Sequence, residues 1–498
     1  MKKKKAFHDL TEIFSAGLQR VDPYKMVRKH ITVSDHRLKV SLEDEQLSFD
    51  LGEFDRLFVI GAGKASAKMA AGVEELLEER ITKGVISVKY GHTHPLKRIK
   101  LIEAGHPVPD DNSVKAADEL LRIAQTTDER SMVISLISGG GSSLLAKPME
   151  YSIGERHYAL TLQDIQKTTS ILLSCGATIQ EINCIRKHLS GIKGGRLARN
   201  LSPALQVNLI LSDVVGDNLD AIASGLTTHD NTSYGDAVEI VKSYGIEALI
   251  PKRVKELLYA GKRGEVEETA KRGEKIFEKV FNILIGTNYH ALLGASKRSG
   301  HLGYNTLILS SQITGEAREV AKVLFGVAMD IKSHGIPISP PACIISGGET
   351  TVTLHGSGKG GRNTELALSF LREMQAEGEG CEGIYFLSAA TDGNDGPTDA
   401  AGAFASAEVL TESLRKSMSI NEYLKNNDSY RFFDELGIIE SQAQDFRALE
   451  LGAQKLESQE LQAPGISSLE LGTSKFQVLF KTGPTNTNVC DIHILIVL

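Results

Sequence analysis

Apolar and polar positions along this chain follow two periods. From Phe7 to His30 the apolar residues Leu10, Ile13, Phe14, Leu18 and Val21 recur at helical spacing until Pro23 interrupts them, which predicts an N-terminal helix. Short apolar runs follow at Arg56 to Ile60, Gly84 to Val88, Met132 to Ile137 and Gln206 to Leu211, each bounded by glycine or polar turns and separated by helix-length segments. Strands alternating with helices predict a parallel sheet, because a parallel strand needs a crossover to return and the crossovers cover both faces with helices.

After Pro251 the pattern changes. Lys252 to Lys279 is rich in Lys, Arg and Glu at helical spacing and reads as a solvated helical connector. Strand-like runs resume at Asn282 to Ile285, Asn305 to Leu309, Ala342 to Ile345 and Ile384 to Leu387. The expected fold is α/β, with two layered domains of mainly parallel sheet over residues 1–245 and 246–498, the first Rossmann-like. A length of 498 residues, beyond what one core usually organises, agrees with two domains. Glu440 to Ser474 is polar, carries Leu-Glu-Leu-Gly twice without forming a structural repeat, and is expected to be poorly ordered. The last run, Ile492 to Leu498, could pack on either domain.

Hydrophobic residues at 41% and charged residues at 24% leave ample material for real cores. A net charge of −7 offers no broad attraction for nucleic acid or anionic lipid, so anions must be gripped locally. The five scattered cysteines, an odd number without paired spacing, suit a reducing compartment. No apolar h-region follows the basic start and no run of about 18 apolar residues occurs, so the expectation is a cytoplasmic protein with no signal peptide, membrane span or nucleic-acid partner. A homodimer is left open.

The glycines fall where strands end. Arg56 to Ile60 runs into Gly61, Gly63 and Lys64; Met132 to Ile137 runs into Ser138, Gly139, Gly140, Gly141 and Ser142. Ala342 to Ile345 runs into Gly347, Gly348 and Glu349, and Ile384 to Leu387 into Asp392, Gly393 and Asp395. Bare amides followed by a helix N-terminus suit phosphate or carboxylate, and ligands of open α/β sheets bind at the carboxyl ends of the strands. A single such turn equally serves as an ordinary tight turn, but four together predict a lined cleft. No Walker A pattern occurs, and the first turn falls one residue short of the dinucleotide fingerprint, with Ser66 in the last position.

Lys64 in the first turn of a helix opposes the helix dipole unless a negative ligand offsets it, and Arg362 repeats that placement after a second glycine run. Arg186, Lys187, His188, Lys193 and Arg196 cluster around Gly191, Gly194 and Gly195, as an anion site or a solvated helix face. Asp213 and Asp217 follow one strand and Asp392, Asp395 and Asp399 another; Mg²⁺ needs few carboxylates besides phosphate and water, while Asp is also a common turn former. His92, His94 and His106 lack a cysteine to complete a zinc set, and Ser142 and Ser143 lack a Gly-x-Ser-x-Gly elbow.

At these residues the chain resembles the glycerate 2-kinase family, whose C-terminal portion is the MOFRL domain. The resemblance runs from about residue 7 to 437, through Val59 to Ala65, Gly105 to Asp110, Ile137 to Ser142, Arg186 to Ser190, Lys193 to Leu197, Ser212 to Asp217, Ser346 to Thr350, Gly360 to Asn363 and Thr391 to Gly396. It implies ATP-dependent, Mg²⁺-assisted phosphorylation of D-glycerate to 2-phosphoglycerate in a cleft between two α/β domains. It makes Lys64 and Arg362 the catalytic candidates, with one of them alternatively holding the glycerate carboxylate. The turn residues named above then bind nucleotide phosphates, Arg186, Lys193 and Asn363 bind substrate, and Asp213 and Asp392 hold the metal. Where the family reads Ser-Gly-Pro-Thr this chain has Ser224-Gly225-Leu226-Thr227, which is expected to loosen that loop. The competing readings are an NAD(P)H-dependent hydroxypyruvate reductase, disfavoured because no acidic residue lies about 20 residues beyond the glycines, and a non-catalytic sugar-acid sensor.

Overall fold

The computed structural model describes residues 2–41, 45–440 and 475–498. The chain divides into two compact units, Asp22–Thr287 and Met1–Val21 with Asn288–Leu498.

The Asp22–Thr287 unit is built on six strands, β1 (Arg56–Ala62), β2 (Ile81–Lys89), β3 (Ile99–Ala104), β4 (Ser131–Ile137), β5 (Leu205–Leu211) and β6 (Val280–Gly286). All pair in parallel in the order β3-β2-β1-β4-β5-β6, the order of doubly wound Rossmann sheets. β4 is buried at every position, so its sequence reads as a continuous apolar run rather than an alternation. The helix Asp111–Ala124 starts at a capping box between Asp110 and Ser113 and lays Ala116, Leu120 and Ile123 on the sheet, in one core with Phe58, Ile60, Val85 and Ile137.

A second apolar core joins helices Leu162–Ser174, Ile179–His188, Tyr234–Ser243 and Lys252–Lys262 through Leu172, Ile185, Tyr234, Val238, Val254 and Leu257. The boundary expected near residue 245 therefore falls inside this unit. Lys252–Lys262 is charged on its outer face yet buries Val254, Leu257 and Leu258, and the strand after it, β6, returns to the first sheet rather than opening a second. One buried stripe is enough to fix such a helix, and average composition hides it.

The other unit holds β7 (Asn305–Glu316), β8 (Ala342–Thr351), β9 (Ile384–Ala390), β10 (Gly402–Ser406), β11 (Leu479–Phe480) and β12 (Asp491–Val497). Their order is β7-β8-β12-β9-β10-β11. Only β7 and β8 pair in parallel; every other pairing is antiparallel, which corrects the expectation of a mainly parallel second sheet. β8 and β9 still run in one direction, as the strand–helix alternation implied, but the final run of the chain lies between them in reverse. Ile492, Ile494 and Ile496 of β12 are fully buried. The N-terminal helix, Lys2–Arg20, also belongs to this unit and not to the N-terminal domain of the sequence reading: Phe7 stacks on Phe476 and meets Tyr385 and Phe404 edge-on.

Ile438–Glu440 pairs antiparallel with Lys475–Gln477. The stretch from Glu440 to Ser474 expected to be poorly ordered lies, beyond Glu440, outside the described residues. Among the described residues no helix is long and apolar enough to cross a membrane.

Because β12 is a central strand, Ile494→Ala is expected to lower the unfolding free energy by about 2–5 kcal/mol in a urea titration. A loss below about 1 kcal/mol would contradict that placement.

Candidate active site

The order of the first sheet reverses between β1 and β4, so the turns that leave these neighbouring strands lie side by side. The Lys64 N–H donates to the Gly139 carbonyl at 2.9 Å, the Ala65 N–H to Ser138 Oγ at 3.0 Å, and Ser66 Oγ to the Leu136 carbonyl at 3.0 Å. Gly63 has φ +149°, and Ser138 Oγ lies 2.0 Å from where its Cβ would be, so any other residue would push the turns apart.

This apposition changes the roles expected of several residues. Gly61 is a strand residue of β1, the Gly63 N–H is taken by the Ser87 carbonyl at 3.1 Å, and Ser138 joins the two turns. None of these supplies the open phosphate cradle expected of it. The Gly141 N–H bonds the Ser138 carbonyl, whereas those of Gly139 and Gly140 have no acceptor among the described residues. The half-buried Lys64 side chain and the His106 ring both pack beside Gly140, which brings His106 into a site where the sequence had not placed it.

Beneath this turn the basic cluster is internal wiring rather than a solvated face. Lys187 is buried in ion pairs with Asp220 and Asp230, and His188 lies between the Cys184 carbonyl and Glu268. Arg196 donates to the carbonyls of Lys187, Ser190 and Glu267. Lys193, 5% exposed, donates from Nζ to the carbonyls of Ser142 at 2.5 Å and Leu145 at 2.9 Å. Burial, and secondarily the charge of Arg186, pushes its pKa down to about 7. Arg186, whose own pKa burial lowers, has no hydrogen bond or ion pair among the described residues. Two desolvated cations that repel one another without a carboxylate partner are costly unless an anion joins them.

Ser142 Oγ lies 2.8 Å from Ser224 Oγ, which donates to Asn183 Oδ1 at 3.2 Å, and Asn183 sits one turn before Arg186 on the same helix. Ala223 and Ser224 have φ of 49° and 57°, a left-handed stretch held by N–H bonds from Gly194 and Gly195. Asn183 and Ser224 were missed from sequence; the family-like Ser-Gly-Leu-Thr stretch was the available signal. Leu226, expected to loosen this loop, is instead buried in the sheet core. Asp213 is half-buried beyond the end of β5.

In the other unit, β8 continues to Thr351, so Gly347 and Gly348 are ladder residues opposite Ile492 and Asp491 and not a phosphate turn. The Ile313 carbonyl lies 2.0 Å from the Cβ position of Gly348. Glu349 also departs from its expected role: its carboxylate pairs with Arg362 Nη1 at 2.8 Å. Arg362 opens the helix Arg362–Glu377, and its Nε and Nη2 grip Asp491 at 2.5 and 2.9 Å. Burial opposes the guanidinium charge, but Asp491 and then Glu349 hold its pKa well above the ordinary value. Asp491, absent from the sequence reading, reaches this edge because it is the first residue of a strand running opposite to β8 and β9.

Asn363 is fully buried. Its side chain donates to Asp395 at 3.2 Å and accepts from Ser388 at 2.6 Å, so it braces the helix start and is not placed to bind substrate. Asp395 also accepts the N–H groups of Asn363 and Thr364, although burial raises its pKa. Asp392 is half-buried and accepts the Asn394 N–H at 3.0 Å. Asp213 and Asp392 lie in different units, and neither belongs to the one three-ligand cluster among the described residues, His8, Asp9 and Glu12. A Mg²⁺ ion held chiefly by phosphate oxygens and water needs no more than one or two carboxylates from the protein.

One unit has a doubly wound sheet with cations at its switch point, the other anchors an arginine at a sheet edge, and each is a feature of α/β enzymes that handle small anions. Comparison narrows this class. A model for a domain of unknown function (DUF4147) matches residues 9–259, and the MOFRL family model matches residues 342–444. The glycerate 2-kinase of Pyrococcus horikoshii is 38% identical over 422 residues, covering 84% of this chain and 90% of that protein. A protein of Agrobacterium vitis with a provisional name as a hydroxypyruvate reductase is 41% identical over 384 residues, covering 77% and 83%. The crystal structure of glycerate kinase from Thermotoga maritima matches with a TM-score of 0.76 and 34% identity, over 100% of both chains. The chain belongs to the glycerate kinase family.

The depressed pKa of Lys193 has a signature in stability. A lysine at about 7 in the folded protein and near its usual value unfolded makes stability rise as pH climbs from 7 toward 10. Between pH 7 and 9, urea denaturation of the wild type is expected to show a larger gain than Lys193→Met; equal gains would mean that Lys193 is not desolvated.

Proposed function

We propose that this protein transfers the terminal phosphoryl group of ATP to the 2-hydroxyl of D-glycerate. The observation that carries the reading is the half-buried Arg186 beside the buried Lys193, neither with a carboxylate partner among the described residues, under a turn that keeps two amides open, in a relative of glycerate kinases. Arg186 receives the glycerate carboxylate, and the Ser142–Ser224–Asn183 chain orients its hydroxyls. Lys193 holds the carbonyls of Ser142 and Leu145 and so fixes the turn from below.

Phosphoryl transfer passes through a loose transition state, so positioning and charge neutralisation carry most of the catalysis. Lys64 neutralises charge on the terminal phosphates as the bond to ADP breaks, and Arg362 serves the same transfer. Mg²⁺, when bound, would supply positive charge to those phosphates, and Asp213 and Asp392 are each candidate carboxylates for it. The five cysteines, none of them in a disulfide, support a cytoplasmic setting.

The reductase reading has one observation in its favour, the name carried by the Agrobacterium vitis relative. Against it, β2 ends at Val88 and Lys89, where a dinucleotide site needs an acidic residue for the ribose.

With ATP, Mg²⁺ and D-glycerate, the protein is expected to release ADP and 2-phosphoglycerate, and to leave NADH unchanged with hydroxypyruvate. NADH oxidation without ADP would reverse the assignment. Lys64→Ala and Arg362→Ala are each expected to lower kcat by at least about a hundredfold with the fold intact; near-normal turnover in both would remove them from the site.

A further inference from the structure

The Arg362 guanidinium carries two carboxylates of opposite character. The Asp491 side chain is 0% exposed, whereas that of Glu349 is 44% exposed. Asp491 stands in register with both Gly348 and Ala390, and its carbonyl accepts Asn288 Nδ2 at 2.9 Å, so neither its backbone nor its side chain has room to turn away. Breaking its fork with Arg362 would strand a buried carboxylate. The Glu349 carboxylate, which Cys490 Sγ also approaches at 4.0 Å, is 44% exposed, and an ion pair so open to water contributes little.

Donor accounting gives the same division. Of five guanidinium N–H groups, Asp491 takes those on Nε and one on Nη2, and Glu349 takes one on Nη1. With both carboxylates in place the trio has a net charge of −1, which repels an approaching anion. With Glu349 withdrawn the remaining Arg362–Asp491 pair is neutral, three N–H groups are open, and the plane of the guanidinium is still set by Asp491. The start of the helix is braced from the same strand: His493, two residues on, bonds Ser388, which bonds Asn363, which bonds Asp395.

We propose, resting on the kinase reading above, that Asp491 is a positioning residue that orients Arg362 for its anion, and that Glu349 holds the place which that anion takes. Arg362 is therefore preorganised by the buried carboxylate and unmasked by displacement of the exposed one.

The test is steady-state kinetics on the full chain with ATP and D-glycerate. Asp491→Asn keeps the shape and removes the charge; it is expected to lower kcat by about 10- to 100-fold, as loss of an orienting outer partner does elsewhere. In an Arg362→Ala background the same change should cost no more than about twofold, because the two residues act as a unit. Glu349→Gln should lower KM several-fold for ATP or for D-glycerate, and which one falls identifies the anion. Arg362→Lys, which cannot form the fork, should retain less than about a tenth of wild-type activity even if Asp491→Asn fails to fold. Equal cost of Asp491→Asn in both backgrounds, an unchanged or raised KM in Glu349→Gln, or full activity in Arg362→Lys each overturns the inference. Wild-type protein that releases no ADP from D-glycerate would instead overturn the kinase reading itself.

Discussion

The direction of neighbouring strands is the constraint on which both halves of the chemistry depend. In the first sheet β1 and β4 run in parallel at the point where the order reverses, so their exit turns meet and every amide and hydroxyl between them must be accounted for. Gly63 is glycine because Ser138 occupies the space of a side chain there, and the turn it makes sets Lys64 beside Gly140. In the second sheet β12 enters in reverse between β8 and β9. A strand that begins where its neighbours end delivers its first residue, Asp491, to the edge at which theirs finish.

The two units treat their cations differently, and the difference follows from burial. Arg186 and Lys193 are desolvated without a carboxylate partner, a condition that depresses both pKa values and leaves an anion as the economical complement. Arg362 is half-buried and paired with two carboxylates, so its charge is secure and its orientation fixed before any ligand arrives. In the function proposed above, the first arrangement would select what binds and the second would favour a transition state that gains charge, since a fixed donor costs no reorganisation.

Much of the first unit was legible along the chain. β1, β2, β4 and β5 appear as apolar runs because strands covered on both faces need no polar alternation, and the turns after β1 and β4 announce themselves through glycine. Reading those glycines as an open phosphate cradle went too far: most of the amides at Gly61, Gly63 and Gly141 are spent joining strand to strand or turn to turn. Asn363 likewise looked like a ligand from its neighbour Arg362 but turns inward to Asp395 and Ser388. The charged connector after Pro251 concealed a buried stripe, and with it the true extent of the unit.

By itself the sequence determined local matters: which segments are strands, where the chain must turn tightly, that Arg362 begins a helix, and which family the motifs belong to; Lys64, expected in the first turn of a helix, instead lies in the turn just before the helix Ser66–Leu77. The tertiary structure decided the pairings between distant segments: Asp491 with Arg362, Ser224 with Ser142, the last strand between β8 and β9, and the first helix beside residues near the chain's end. Local geometry follows from each residue's own backbone and side-chain preferences, which the sequence states directly. Whether a charge is paired, buried or left for a ligand depends on neighbours up to hundreds of positions away, and those are set only when the chain has folded.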